Sequence, residues 1–303
     1  MGHNQYPEII TAFLDSLSRN LESYEATLKL TENLLDNKQP ALFFRIENAA
    51  WDPTLIIHQT LESSDTDYPE YRVRINISFP EELTEYLQDK VNIINRYVLF
   101  SSVINFEQTI EVVSQSILNM EDLELTSYMM SIAAVYGATT VTESFKNLME
   151  GKSDDVDVMS AWTDLDFEQI HYDYAHLGAA TLSKRHWSML SPFGRLEFDA
   201  NHNNPYWKAG LLSLQYYNKK SLGVEDEVSA NDLNRISYLF DDQPLYGAWV
   251  DDDDYFVFVT FIPNFMKSVP GMADHLVNWF IRRYASISEM ITLVKNLNAD
   301  RSA

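Results

Sequence analysis

Tyr255-Phe256-Val257-Phe258-Val259-Thr260-Phe261-Ile262 is an aromatic and β-branched run, entered from Asp251-Asp252-Asp253-Asp254 and closed by Pro263. Aromatic and β-branched residues in so short a run, ended by a residue with no backbone N–H to continue a ladder, specify a buried strand. Beyond it, Leu276, Phe280, Tyr284, Ile287, Ile291 and Val294 recur from Met272 onward at steps of three or four, the spacing of one helix face. A buried strand followed by an amphipathic helix anchors the C-terminal end of the fold.

The N-terminal end carries a different pattern. From Pro7 to about Asn37, Ile10, Leu14, Leu17, Leu21, Tyr24, Leu28 and Leu35 fall at alternating steps of four and three, with Thr31 filling the one gap. Neither glycine nor an internal proline interrupts this seam, so it predicts one continuous helix, roughly 40 Å long at 1.5 Å per residue. The polar flank of Asp15, Arg19, Glu22, Glu25 and Lys29 suits a partner helix, within the chain or across a subunit interface, although Phe13 and Leu34 widen the stripe. A coiled-coil arm of this kind makes Leu14, Leu17, Leu21, Tyr24 and Leu28 the expected contact of a homo-oligomer.

Three strands are expected next, over 41–47, 54–60 and 71–78. The last alternates strictly, Tyr71, Val73, Ile75 and Ile77 against Arg72, Arg74, Asn76 and Ser78, so one of its faces is wet. Leu83, Leu87, Val91 and Ile94 then mark a helix. The order Trp51, strand, Phe79-Pro80, Val91-Asn92-Ile93-Ile94-Asn95-Arg96-Tyr97 parallels Trp249, strand, Ile262-Pro263, Val277-Asn278-Trp279-Phe280-Ile281-Arg282-Arg283-Tyr284, and suggests a duplicated strand–strand–helix unit. Between these units, 106–240 reads as mainly helical, including 123–136, 142–149 and 161–187, and Ser229-Ala230-Asn231-Asp232 has the form of a helix start. The expected fold class is therefore α+β, with sheet-and-helix units near both ends of a mainly helical middle. Its parts are an arm at 1–37, a strand–strand–helix unit at 38–105, the helical region at 106–240 and a strand–helix unit at 241–303, interwoven in one body.

Composition bounds function mainly by exclusion. The chain of 303 residues carries 45 acidic against 22 basic side chains, a formal charge of −23, so its field repels nucleic-acid phosphates and anionic membranes and favours a partner with a basic surface. With no cysteine there are no disulfides, thiolate nucleophiles or cysteine-held metals. No leader or apolar run long enough to span a bilayer follows Met1, and the expected compartment is the cytoplasm. Gly210 and Gly223 are the closest pair of glycines, which rules out both the dinucleotide-binding turn and the nucleophile elbow.

Residues that could carry chemistry are few. Glu168 and His171 lie three apart on one helical face, as carboxylate–histidine metal sites require, and Asp164 could join them. No second Glu-x-x-His exists, and the competing reading turns Tyr172, Tyr174 and Leu177 inward and leaves the polar groups in solvent. No cofactor and no bound metal is expected. Charge segregation is the stronger signal. Acidic blocks at Asp154, Asp155 and Asp157 and at Asp251, Asp252, Asp253 and Asp254 contrast with Lys184 to Lys220, where cations alternate with aromatics. The acidic blocks are the expected partner-binding residues; direct nucleic-acid binding is not expected. In element order alone, helix–strands–helix with strong acidity, the chain resembles small bacterial secretion chaperones, which carries over no site residue. The function expected is protein binding, as an inhibitor that imitates phosphates before a nucleic-acid-binding protein or as a chaperone. The alternative is a metal-dependent enzyme with its site at Glu168 and His171.

Overall fold

The computed structural model describes residues 7–33, 41–59, 71–97, 99–106, 109–150, 160–202, 210–224, 228–239 and 245–302, with the backbone alone at 138–150 and 300–302. Two runs of elements follow one another in the same order. The first is α1 (Glu8–Glu22), β1 (Thr27–Asn33), β2 (Ala41–Glu47), β3 (Thr54–Gln59), β4 (Tyr71–Ser78), the short helices α2 (Glu81–Leu87) and α3 (Val91–Ile94), β5 (Ser102–Asn105), β6 (Ile110–Ile117) and α4 (Leu123–Glu150). The second is α5 (Asp164–Tyr174), β7 (Ala179–Ser183), β8 (His186–Ser191), β9 (Gly194–Asp199), β10 (Gly210–Asn218), α6 (Ala230–Leu239), β11 (Ala248–Asp252), β12 (Tyr255–Pro263) and α7 (Met272–Ser302). Each run builds a six-stranded antiparallel sheet, ordered β1-β2-β3-β4-β6-β5 in the first and β7-β8-β9-β10-β12-β11 in the second. The chain is α+β, with a helix at each end, and is organised as a structural repeat.

The repeat differs from the parallel expected from sequence. Val91 to Tyr97 belongs to α3 and the turn after it, whereas Val277 to Tyr284 lies within α7, the counterpart of α4. The true counterpart of Asn92-Ile93-Ile94-Asn95-Arg96 is Asn231-Asp232-Leu233-Asn234-Arg235 in α6, as the hydrogen bonds described below establish.

Two further expectations are corrected. The arm is not one helix. α1 ends at Glu22, Glu25 takes a left-handed backbone (φ 60°), and the chain enters β1. Leu28 and Leu30 both turn toward the core from β1, a period-two pattern that the heptad template, which uses Leu28 and Leu35, passes over. Pairing with β2 then satisfies the backbone. Nor is 161–187 one helical stretch, because α5 ends at Tyr174 and β7 to β10 run from Ala179 to Asn218. Their alternate residues Trp187, Met189, Leu196, Phe198, Leu211 and Tyr217 are buried, and the cations Lys184 and Arg185 occupy a tight turn where Arg185 adopts φ 51°. Lys184, Arg185, Lys219 and Lys220 thus stand at turns, while Trp187, Phe198 and Tyr217 point into the core between them.

Helices cover one face of each sheet. α1 packs along α4, and α4 lies on β4 and β6. Over the second sheet, Phe280 of α7 packs on Tyr217, Tyr217 on Trp249, and Trp249 on Phe258, while the Arg283 guanidinium lies 3.5 Å from the Phe258 ring centroid and donates to Gln215 Oε1 at 2.8 Å. Burial pushes the Tyr217 hydroxyl pKa up, so this aromatic stack stays neutral.

Candidate interaction surface

The two sheets approach through their inner edge strands, β5 and β11, whose outward backbone groups have no further strand to pair with. Asparagine side chains take the place of that strand. Asn95, at the C-terminal end of α3, donates to the Val103 carbonyl at 2.9 Å and accepts from the Val103 N–H at 2.7 Å; Asn234 of α6 does the same to Trp249 at 2.9 and 2.8 Å. One helical turn earlier, the amides cross between the repeats. Asn92 brackets the backbone of Asp251 at 3.2 and 2.8 Å, and Asn231 brackets that of Asn105 at 3.1 and 3.0 Å. Arg96 reaches Asp252, and Arg235 lies over Phe106, the residue that follows Asn105. The asparagine contact from the first repeat to the second is answered by its counterpart, the pattern of an isologous two-fold interface, here within one chain. Gln115 and Leu245 add a bridge between the repeats, and Arg74 donates to the Tyr238 carbonyl at 2.7 Å.

This junction absorbs half of the expected acidic tetrad, Asp251 to Asp254. Asp251 accepts from the Ala230 N–H at 2.9 Å, at the start of α6, and pairs with Lys219 at 3.2 Å; Asp252 pairs with Arg96 at 3.3 Å. Asp253 and Asp254 form the exposed tip of the β11–β12 hairpin, Asp253 at φ 41°, with Lys219 beneath donating to the Asp253 carbonyl. Asp154, Asp155 and Asp157 lie outside the described residues.

The expected oligomer seam is also used internally. Leu17 and Leu21 are fully buried in the chain's own core, Leu14 and Leu28 pack against that core, and Tyr24 meets Tyr136 of α4 edge-on at 5.5 Å. The partner helix the heptads called for is α4, so Leu17 and Leu21 have no surface to offer a second copy.

The metal candidates do not converge. Asp164 and Glu168 are exposed and His171 is half-buried, its Nδ1 without a hydrogen-bond partner; among the described residues no three histidine, aspartate or glutamate side chains gather in a metal-binding geometry. The inward face of α5 is Phe167, Ile170 and Tyr174, so Tyr172 falls on the opposite side and is 83% exposed, against the expectation that it turns inward.

What sequence reading missed is the surface that α5 makes. In the first repeat α1 lies against α4; in the second, α5 lies on β7 and β8, and an open cleft of about 320 Å³ separates it from the start of α7. Trp162, Asp166, Gln169, Asp173 and Tyr174 line one side, Lys267 and Asp274 the other. Burial alone would raise the Asp166 pKa, but the Lys267 ammonium at 2.6 Å and two hydrogen bonds from Thr163 outweigh it and hold the carboxyl below its usual value. Among the described residues Asp173 accepts from Gln169 and Asp274 from the Tyr174 hydroxyl, both neutral donors, so the three carboxylates that line the cleft face one lysine of its lining. Across Ser268–Pro270, a second cleft of about 480 Å³ is lined by Glu121, Asp122, Glu124, Arg19 and His275. Large apolar side chains also stand in solvent: Leu165 and Tyr172 on α5, Met120 before α4, and Phe265 against Tyr128. Leu165 and Tyr172 are seven apart with Gln169 between them, a signal readable from spacing once the opposite face of α5 is known to be the buried one.

No protein-family profile, no curated protein and no solved structure matches this chain. Among the described residues no helix is long and apolar enough to cross a membrane.

Proposed function

We propose that this chain is a non-catalytic binding protein, cytoplasmic in location, which holds a partner protein through a basic surface of that partner. The observation that carries the reading is that α5 exposes two large apolar side chains, Leu165 at 74% and Tyr172 at 83%, on the same helix whose Asp173 lines a cleft with Asp274. Side chains of that size left in water mark interaction sites, and the net charge of −23 selects a cationic partner. Of the two forms expected, inhibitor by phosphate imitation and chaperone, the geometry favours the second. Phosphate imitation needs a row of unpaired aspartates, and Asp251 and Asp252 are already held by Lys219 and Arg96.

The test is affinity capture from the native host at low and at high salt, with wild-type protein and the Leu165→Ser/Tyr172→Ser variant. Binding predicts one defined partner at low salt, weaker retention at high salt, and loss of that partner from the variant. A partner held equally by wild type and variant, or none at any salt, would remove the reading.

A further inference from the structure

The outer edge of the second sheet is open. β7 ends the strand order, pairs with β8 alone, and leaves Ala179, Thr181, Leu182 and Ser183 exposed. In an antiparallel pair every second residue turns its N–H and C=O away from the neighbouring strand, so one side of β7 presents backbone donors and acceptors to solvent. The corresponding edge strand of the first sheet, β1, is protected: Lys29 and Glu32 stand exposed on it, and its register shifts between Leu30 and Glu32. β7 carries no charge and no proline, and its register with β8 is unbroken. An edge of ordinary length without such devices is a template for another strand.

Charge decides which strand fits. Past the C-terminal end of β7, Lys184 and Arg185 form the turn, and neither makes an ion pair among the described residues although acidic side chains outnumber basic ones 45 to 22. Before its start, α5 and the helical turn Ala175–Leu177 run out, which places the negative end of a helix dipole there, with Asp173 exposed in the last turn of α5. The strand that complements both ends runs antiparallel and carries cations past its own C-terminus, and β7 of a second copy is such a strand. About a two-fold axis at Thr181, Ala180 faces Leu182 and Ala179 faces Ser183 of the other copy, while Lys184 and Arg185 come alongside Gly178 and Leu177, each contact made twice. Leu182, 40% exposed although its cross-strand neighbour Trp187 is fully buried, then lies against Ala180 of the other copy. The helices leave room for this. α5 lies on β7 and β8, about one strand spacing from such an axis, so the two α5 helices run antiparallel about 10 Å apart, an ordinary packing distance. Asp166, Gln169 and Asp173 line the cleft toward α7, so the flank of α5 that meets its copy is the opposite one, with Glu168 and His171.

We infer that the chain forms a two-fold dimer in which β7 of one copy pairs antiparallel with β7 of a second about Thr181, joining their second sheets into one continuous sheet. The pairing uses backbone and turn groups of β7 and stands independently of the binding function proposed above.

The chain has no cysteine, so single cysteines in the full-length protein report the register. Directly opposed residues of an antiparallel pair lie about 4.5–5.5 Å apart, within disulfide range, so mild oxidation of Thr181→Cys should give a linked dimer. Ala179→Cys or Ser183→Cys alone should give none, because each is roughly 13 Å from its own copy, whereas a mixture of the two should cross-link one to the other. Sedimentation velocity should show wild-type protein passing from monomer to dimer as concentration rises. Thr181→Lys, which opposes two ammonium groups across the axis, should weaken that dimer roughly tenfold, and Thr27→Lys, the same change at an exposed position of β1, should leave it unaltered. A wild type that stays monomeric at every concentration, equal dimerisation of the two lysine variants, or equal cross-linking of Ala179→Cys and Thr181→Cys would overturn the inference. Thr181 and Thr27 are both exposed, and an unchanged thermal melt shows that folded proteins are being compared.

Discussion

Asn234→Ala tests the junction most directly. Asn234 is fully buried, and its amide is the hydrogen-bond partner of both the N–H and the C=O of Trp249, which point away from β12 on an edge strand. Truncation leaves those two backbone groups unpaired in an interior that also holds Ser102, Ser237 and the Trp249 ring, with no space for bulk water to take over. At about 1–3 kcal/mol for each orphaned group, the loss comes to roughly 2–6 kcal/mol. Asn231→Ala removes the same geometry one turn away, but Asn231 sits at the half-buried rim where water can replace it, so its cost should be below about 1 kcal/mol. Equilibrium urea unfolding of both variants reads the difference. Asn234→Ala should lower the midpoint by on the order of 1 M with an unchanged slope, and Asn231→Ala should barely move it. By the internal two-fold, Asn95→Ala should behave like Asn234→Ala. If Asn234→Ala falls within about 1 kcal/mol of wild type, or the two variants are equal, the amides do not stand in for a missing strand and the account of the junction fails.

Two further outcomes follow from the core and the outer face of the first sheet. Leu17→Ala should cost about 2–5 kcal/mol in thermal or urea unfolding, with the sedimentation behaviour of the folded protein unchanged, because Leu17 packs inside its own chain and not against a second copy. His58 on β3 is held down from 6.5 to about 4, first by burial and then by the neighbouring Arg74 and Arg72. The unfolded chain therefore binds this proton more readily. The contribution of His58 is complete above about pH 6.5 and is lost as pH falls toward 4, so His58→Gln should flatten the stability profile between pH 6.5 and 5; an unaltered slope would count against it.

The parts legible in sequence share a local cause. β4 and β12 were readable because alternation or a closed apolar run reports directly on burial, and the start of α1 and the seam of α7 because a helix face repeats within a few residues. The parts missed depend on what lies across space. Leu28 and Leu30 fit a strand as well as Leu28 and Leu35 fit a heptad, and pairing with β2 decided between them. The motif Asn-x-x-Asn-Arg is present twice, yet apolar spacing alone points to Val277 to Tyr284 as the second unit. Nothing local says that an asparagine will serve as the neighbour of an edge strand. The acidic tetrad was visible as charge, but only the junction shows that Lys219 and Arg96 take up Asp251 and Asp252. The α5–α7 cleft had no sequence signal at all, since it is a gap between elements.

By itself, then, the sequence determined that the chain mixes helices with buried strands, that it lacks thiol chemistry and glycine-loop chemistry, and that its field favours cations, since each of these follows from residue type and short-range period. Tertiary structure alone decided that two repeats meet about an internal two-fold, which backbone edges the asparagines cover, and which carboxylates stay without a cationic neighbour. The crossing contacts among them join residues far apart in the chain, such as Asn92 with Asp251, and a linear pattern carries no information about which partner will satisfy a given donor.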